Sequence, residues 1–305
     1  MSPLALIPLA ILVTLAWWPL RALSRRAMWI GTVAIWALLW ALPWLADRSS
    51  LPALAAVTLV VAAALPAKLI DSAAAPWVWN ERPLRVWAFF LSLPFVVCFR
   101  GHLRDPARPR DESVRLVLRG LVELAVGVAL LGWAFSTDWR GTSVVVEHLV
   151  KLTGVYLVAL DGGFVLATGA LRLAGFTIHD LCDHPILALT PADFWRRYNR
   201  DAGRFYFENL FRRLPVRSAA VRTLVVFFAN GLVHEYLAWV LCGRAFGYQV
   251  AFFSLQGIGV ALTARLRPTG PLALISRAAT VLFMLATSVL FLANVDQAFP
   301  WFQRR

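Results

Sequence analysis

Apolar residues along this 305-residue chain run in long blocks rather than in the alternating or 3.6-spaced stripes of a water-soluble fold. A hydrocarbon core of about 30 Å takes about 20 apolar residues per helix. The stretches near 3–20, 27–46, 51–70, 84–99, 114–136, 143–175, 219–242, 248–266 and 272–295 meet or nearly meet that length. The pattern therefore predicts an all-α, polytopic bundle of eight or nine transmembrane helices. Its longest polar connections, roughly 100–113 and 176–218, leave no room for a soluble domain, so residues 1–305 are expected to form a single multi-pass membrane domain.

The pattern changes between 191 and 213. Phe194, Trp195, Tyr198, Ala202, Phe205 and Leu210 fall roughly on one helix face, and Arg196, Arg200 and Arg204 recur every four residues on another. Such a helix should lie in the membrane interface with its aromatic side down. Thr190 is a candidate N-cap, Pro191 suits the first turn, and Asp193 complements the helix dipole.

Composition agrees with a lipid environment: 60% of residues are hydrophobic, 15% are charged, and mean hydropathy is +0.67. The net charge of +13 does not point to nucleic acid, because the cations stand in loops between apolar spans. Only Lys68 and Lys151 are lysines, an arginine bias attributable to genome composition. Cys98, Cys182 and Cys242 are scattered without CxxC spacing, so neither a disulfide nor a structural metal is expected. The first apolar run lacks a basic leader and ends at Arg21, Arg25 and Arg26, which reads as a retained helix.

The positive-inside rule assigns 21–26, 196–222 and 265–277 to the cytoplasm. Arg100, Arg104, Arg108, Arg110 and Arg115 join them only if 84–99, short and rich in Trp, Phe and Pro, re-enters or lies on the surface. An extracellular amino terminus follows.

Polar residues inside apolar runs mark candidate chemistry. Asp161, in LDGG at 160–163, should face the interior, holding an arginine or a backbone group or touching substrate, with Gly162 and Gly163 permitting a kink or close approach. Arg119 and Glu123 are spaced for a local ion pair. His234 stands in FFANGLVHEYLAW at 227–239, and Asn230, one turn earlier, could orient its imidazole. Glu235 is rotated about 100° away. HEYLA at 234–238 is not the HExxH zinc motif.

LDGGFVLATGALRLAGF at 160–176, CDHPILALTPADFWRRYN at 182–199 and NGLVHEYLAW at 230–239 together resemble the core of the membrane-bound O-acyltransferase family. In that family an FWxRW(N/H) motif precedes a membrane-embedded histidine by some tens of residues. Here Asn199 and His234 stand 35 apart. Asn after the aromatic is similar to the branch of wax synthases and of sterol and diacylglycerol acyltransferases. The likeness covers about residues 155–245. Tyr198 departs from the usual Trp, and the chain is short for the family.

The resemblance implies acyl transfer from acyl-CoA, as donor substrate and with no cofactor, to a hydroxyl, with His234 as general base and Asn199 assisting at the thioester carbonyl. It implies substrate-binding roles for Trp195, Arg196, Arg197, Tyr198, Arg200, Asn230 and Asp161, the arginines facing coenzyme A phosphates. No GxSxG elbow and no thiol near His234 suggests an acyl-enzyme. Few polar residues stand near the motifs to satisfy a sugar, so a hydrophobic alcohol or lipid acceptor is expected, in a bacterial cytoplasmic membrane. Soluble-type glycerolipid acyltransferases are excluded because no histidine is followed by Asp with four residues between them, and the aspartate clusters of alcohol phosphotransferases and prenyltransferases are absent. The alternatives are an O-acetyltransferase acting on a glycan, or a transporter or lipid-binding protein using Asp161 and His234 in a polar path. No inverted repeat supports a transporter.

Overall fold

The computed structural model describes residues 1–48, 50–93, 95–102, 108–299 and 301–302. Arg104, and Pro94 within 84–99, lie outside the described residues. Among the described residues every regular element is a helix. Six helices are long and apolar enough to cross a membrane: α1 (Pro3–Leu20), α2 (Arg25–Leu45), α3 (Leu51–Ala74), α6 (Val144–Leu173), α9 (Ala219–Cys242) and α11 (Pro271–Ala298). Between them lie α4 (Leu84–Ser92), α5 (Arg110–Ser136), the two short helices α7 (Pro191–Arg197) and α8 (Arg200–Asn209), and α10 (Tyr248–Thr263).

Of the stretch 84–99, expected to re-enter or lie on the surface, Leu84–Ser92 is a nine-residue helix, about 14 Å long and too short to cross. Lys68 explains part of its end: its buried ammonium donates to the carbonyls of Phe90 at 2.7 Å and Leu91 at 2.9 Å, satisfying acceptors at the helix terminus. The expected amphipathic helix over 191–213 is divided in two. Tyr198 is extended, Asn199 is left-handed (φ 40°), and the chain turns before α8 begins.

Two π-helical turns interrupt long helices. In α3, Leu59–Ala64 precedes Pro66, which has no N–H for the Ala62 carbonyl four residues back, and Trp40 Nε1 donates to that oxygen at 2.8 Å. In α6 the π turn is Tyr156–Gly162. The expected close approach of its glycines is present: a Cβ on Gly162 would come within 2.9 Å of Glu123 Cβ. At Gly120 a Cβ would meet the Leu166 backbone at 2.6 Å, so α5 and α6 cross backbone to backbone.

Contacts between distant segments sort the connections into two ends. At one end the Asp47 N–H donates to Met1 O, and the Lys151 ammonium donates to Trp301 O. At the other, Arg100 pairs with Asp71 at 2.9 Å and Asp201 accepts from His102 at 2.8 Å, joining α3, the turn Phe99–His102 and α8. The motif segment 176–213 belongs to this second end, capping a bundle formed mainly by α5 with α6 and by α9 with α10 and α11.

Candidate active site

A cavity of about 890 Å³ runs between α7, α8, α9, α10, α11 and the start of α6. Its wall is largely apolar. Trp195, Arg196, Tyr198, Asn199, Arg200, Asn230 and His234 all reach it, so the two motifs separated by 35 residues share one space.

Local chemistry builds the motif's corner. Thr190 Oγ1 accepts from Asp193 N–H at 3.1 Å and caps α7 as expected, while Asp193 Oδ2 accepts from Leu189 N–H and Arg197 Nε, both at 3.1 Å. Burial alone would raise the Asp193 carboxyl, but the Leu189 N–H and Arg197 outweigh it and hold the group below its ordinary value. Asn199 tolerates the left-handed conformation, and its Oδ1 accepts from Ala202 N–H at 3.2 Å as the N-cap of α8. Arg200 N–H donates to Leu181 O at 2.8 Å, docking the turn on the preceding loop.

The aromatic side of the motif is packed and tied. Trp195 Nε1 donates to Gln256 Oε1 at 2.9 Å, and the fully buried Gln256 donates onward to Thr287 Oγ1 at 2.7 Å. Tyr198 stacks on Phe194 and meets Phe164 and Trp195 edge-on, and burial drives its phenol pKa up.

His234 Nδ1 lies 2.9 Å from Asn230 O. A carbonyl can only accept, so Nδ1 carries the proton and Nε2 keeps its lone pair. The ring rests 4.5 Å from Phe253, centroid to centroid, which fixes its plane. The sequence expectation that the Asn230 amide orients the imidazole is corrected: the main-chain carbonyl does so, and the amide is engaged by Tyr206. Glu235 points away, as its rotation implies. It accepts from Phe246 and Gly247 N–H at 2.7 Å and Gln249 N–H at 2.9 Å, and so satisfies the start of α10.

Two expected site residues stand outside the cavity wall. Arg197 is spent on Asp193 and, at 3.6 Å, on Asp183. Asp161 is buried behind Tyr156, accepting from Arg119 Nη2 at 2.7 Å and from Tyr156 Oη at 3.1 Å, while Arg119 Nε also binds Glu123 at 2.7 Å. The expected Arg119–Glu123 pair is thus part of a larger, partly buried network.

The sequence reading missed Tyr156, His179, Arg204 and Tyr206, which also line the cavity. One ligand atom from each of His102, His179 and Asp201 lies within 4.8 Å of the others. Their arrangement is that of a hydrogen-bonded clasp. Asp201 Oδ2 accepts from Val97 and Cys98 N–H, the two imidazoles stack at 4.2 Å with 10° between planes so their in-plane lone pairs do not converge, and Arg204 Nη1 stands 3.3 Å from His179 Nδ1.

Compared with family models and with curated proteins, the chain finds no match.

Proposed function

We propose that this protein is a membrane O-acyltransferase, similar to the wax synthase branch of the membrane-bound O-acyltransferase family, moving a fatty acyl group from acyl-CoA to a lipid-like alcohol. The observation that carries the reading is His234: a histidine whose Nδ1 is held by Asn230 O, on the wall of a largely apolar cavity shared with the FWRRYN segment. Nε2 takes the hydroxyl proton as the alcohol oxygen attacks the thioester carbon. The tetrahedral intermediate then expels the coenzyme A thiolate, which takes the proton from His234. Asn199 assists at the carbonyl, and Arg196, Arg200 and Arg204 at the cavity rim suit the phosphates of coenzyme A.

In this reading the crossings number eight: the six long apolar helices together with α5, of 27 residues, and α10, of 16. With α4 not crossing, Asp71, Arg100 and the 176–213 segment share the cytoplasmic end of a bacterial inner membrane, and Met1 and Trp301 share the other. Acceptor reaches His234 from the bilayer between α6 and α11, where Leu149, Leu152, Met284 and Leu285 line the cavity.

The test is purified protein given palmitoyl-CoA or acetyl-CoA with a fatty alcohol, diacylglycerol, a sterol or a soluble glycan, with products resolved by mass. A palmitoyl ester of the hydrophobic alcohol is expected. Acetyl transfer to the glycan as the dominant reaction would overturn the lipid acceptor, and no acyl transfer with any pair would overturn the enzyme.

A further inference from the structure

Asn230 and His234 lie one turn apart on α9, and both reach the cavity. Tyr206, on α8, crosses to Asn230 with its hydroxyl 2.7 Å from Oδ1. Burial pushes the Tyr206 phenol above its ordinary pKa, so it keeps its proton. That proton has no other acceptor among the described residues. With the amide reversed, Nδ2 would donate to the phenol oxygen and strand the phenol proton, so Oδ1 is the accepting atom and Nδ2 is turned elsewhere. Nδ2 has no protein partner among the described residues, and the group lies on the cavity wall.

An alcohol oxygen attacking a thioester carbon stands two bonds from the carbonyl oxygen, both on the same carbon, so base and oxyanion donor must be neighbours. Residues at i and i+4 on a helix have Cβ atoms about 5–6 Å apart, a separation that suits such a pair. We propose that Asn230 is a catalytic residue, its Nδ2 donating to the thioester carbonyl and to the oxyanion formed from it, and that Tyr206 is the positioning residue that holds the amide in this orientation. This rests on the acyl-transfer reading above. As the C–O bond forms, the hydroxyl proton passes to His234 Nε2 and the carbonyl electron pair moves onto oxygen against Asn230. As the C–S bond breaks, that pair returns and the thiolate takes the proton.

The experiment measures palmitoyl-CoA:hexadecanol transfer by full-length protein in lipid nanodiscs, for wild type, Asn230→Ala, Asn230→Ser, Tyr206→Phe and the Tyr206→Phe/Asn230→Ala pair. Loss of the donor should lower kcat about 10²-fold in Asn230→Ala, with KM for palmitoyl-CoA within about twofold. Asn230→Ser, which keeps a small donor, should recover part of the rate and carries the test if the alanine variant inserts poorly. Tyr206→Phe should lower kcat about tenfold, and the double variant should be no slower than Asn230→Ala, because Tyr206 acts only through Asn230. Wild-type kcat in both Asn230 variants, or a raised KM at unchanged kcat, overturns the catalytic role while leaving the acyl-transfer reading intact. Additive losses in the double variant overturn the positioning role. Absence of ester from the wild type removes both readings together.

Discussion

Asp161 and Arg119 meet at 2.7 Å where α5 and α6 cross, with Tyr156 as a second donor to the same carboxylate oxygen. Gly120 and Gly162 let the backbones come close enough for the pair to form. Tyr156 also lines the cavity, so Asp161 and Arg119, outside the wall, shape the site from behind through it.

Replacing Asp161 by Ala should leave Arg119 with Glu123 and with His184, whose Nε2 lies 2.9 Å from Arg119 Nη1. Arg119 keeps those partners and some exposure, so the cost should be about 1–3 kcal/mol rather than that of a fully stranded charge. Thermal unfolding in detergent checks it, and an unchanged midpoint would mean that water replaces Asp161 without penalty.

His234→Ala should insert and fold normally while making no ester, because it removes the base and shortens one side chain at a cavity wall. Insertion is read by size-exclusion profile and protease protection, and product by mass. Wild-type turnover in a well-inserted variant would remove His234 from the chemistry.

Asn199 combines two possible jobs, and two substitutions separate them. Asn199→Asp keeps an oxygen to cap Ala202 N–H but has no amide to donate, so it should lower kcat about 10²-fold with little loss of stability. Asn199→Ala should add the cap loss, about 1 kcal/mol, worsened by a left-handed φ of 40° that alanine disfavours. Equal turnover in Asn199→Asp and wild type would reduce Asn199 to a cap.

Cys182 is buried against Leu160 O, and burial, followed by the Asp161 charge, pushes its thiol up to about 12. A raised thiol pKa means the unreactive protonated form persists through neutral and mildly alkaline pH. In a variant with Cys98 and Cys242 changed to Ser, maleimide labelling at pH 7 and pH 9 should be slow in the folded protein and rapid after denaturation. Fast labelling of folded protein at pH 7 would contradict the buried placement.

Much of this molecule was legible because a bilayer forces a simple code: long apolar runs must be helices, and interior charges must be paired. Thus the six long apolar helices, the Thr190 cap, the Arg119–Glu123 pair and the brevity of 84–99 could be read along the chain. The break between α7 and α8 could not, since the hydrophobic pattern runs through Tyr198 and Asn199, and the left-handed turn is held by the preceding loop, with Arg200 N–H on Leu181 O and Asp183 N–H on Arg197 O. Nor could the role of Asn230. Spacing put its amide beside His234, but the helix carbonyl already holds Nδ1, and it takes a phenol from α8 to engage the amide oxygen. Local sequence determines which residues share a helix face. Which partner each polar atom finds depends on elements far away in the chain, because burial favours pairing a donor or acceptor with whatever the fold brings within about 3 Å.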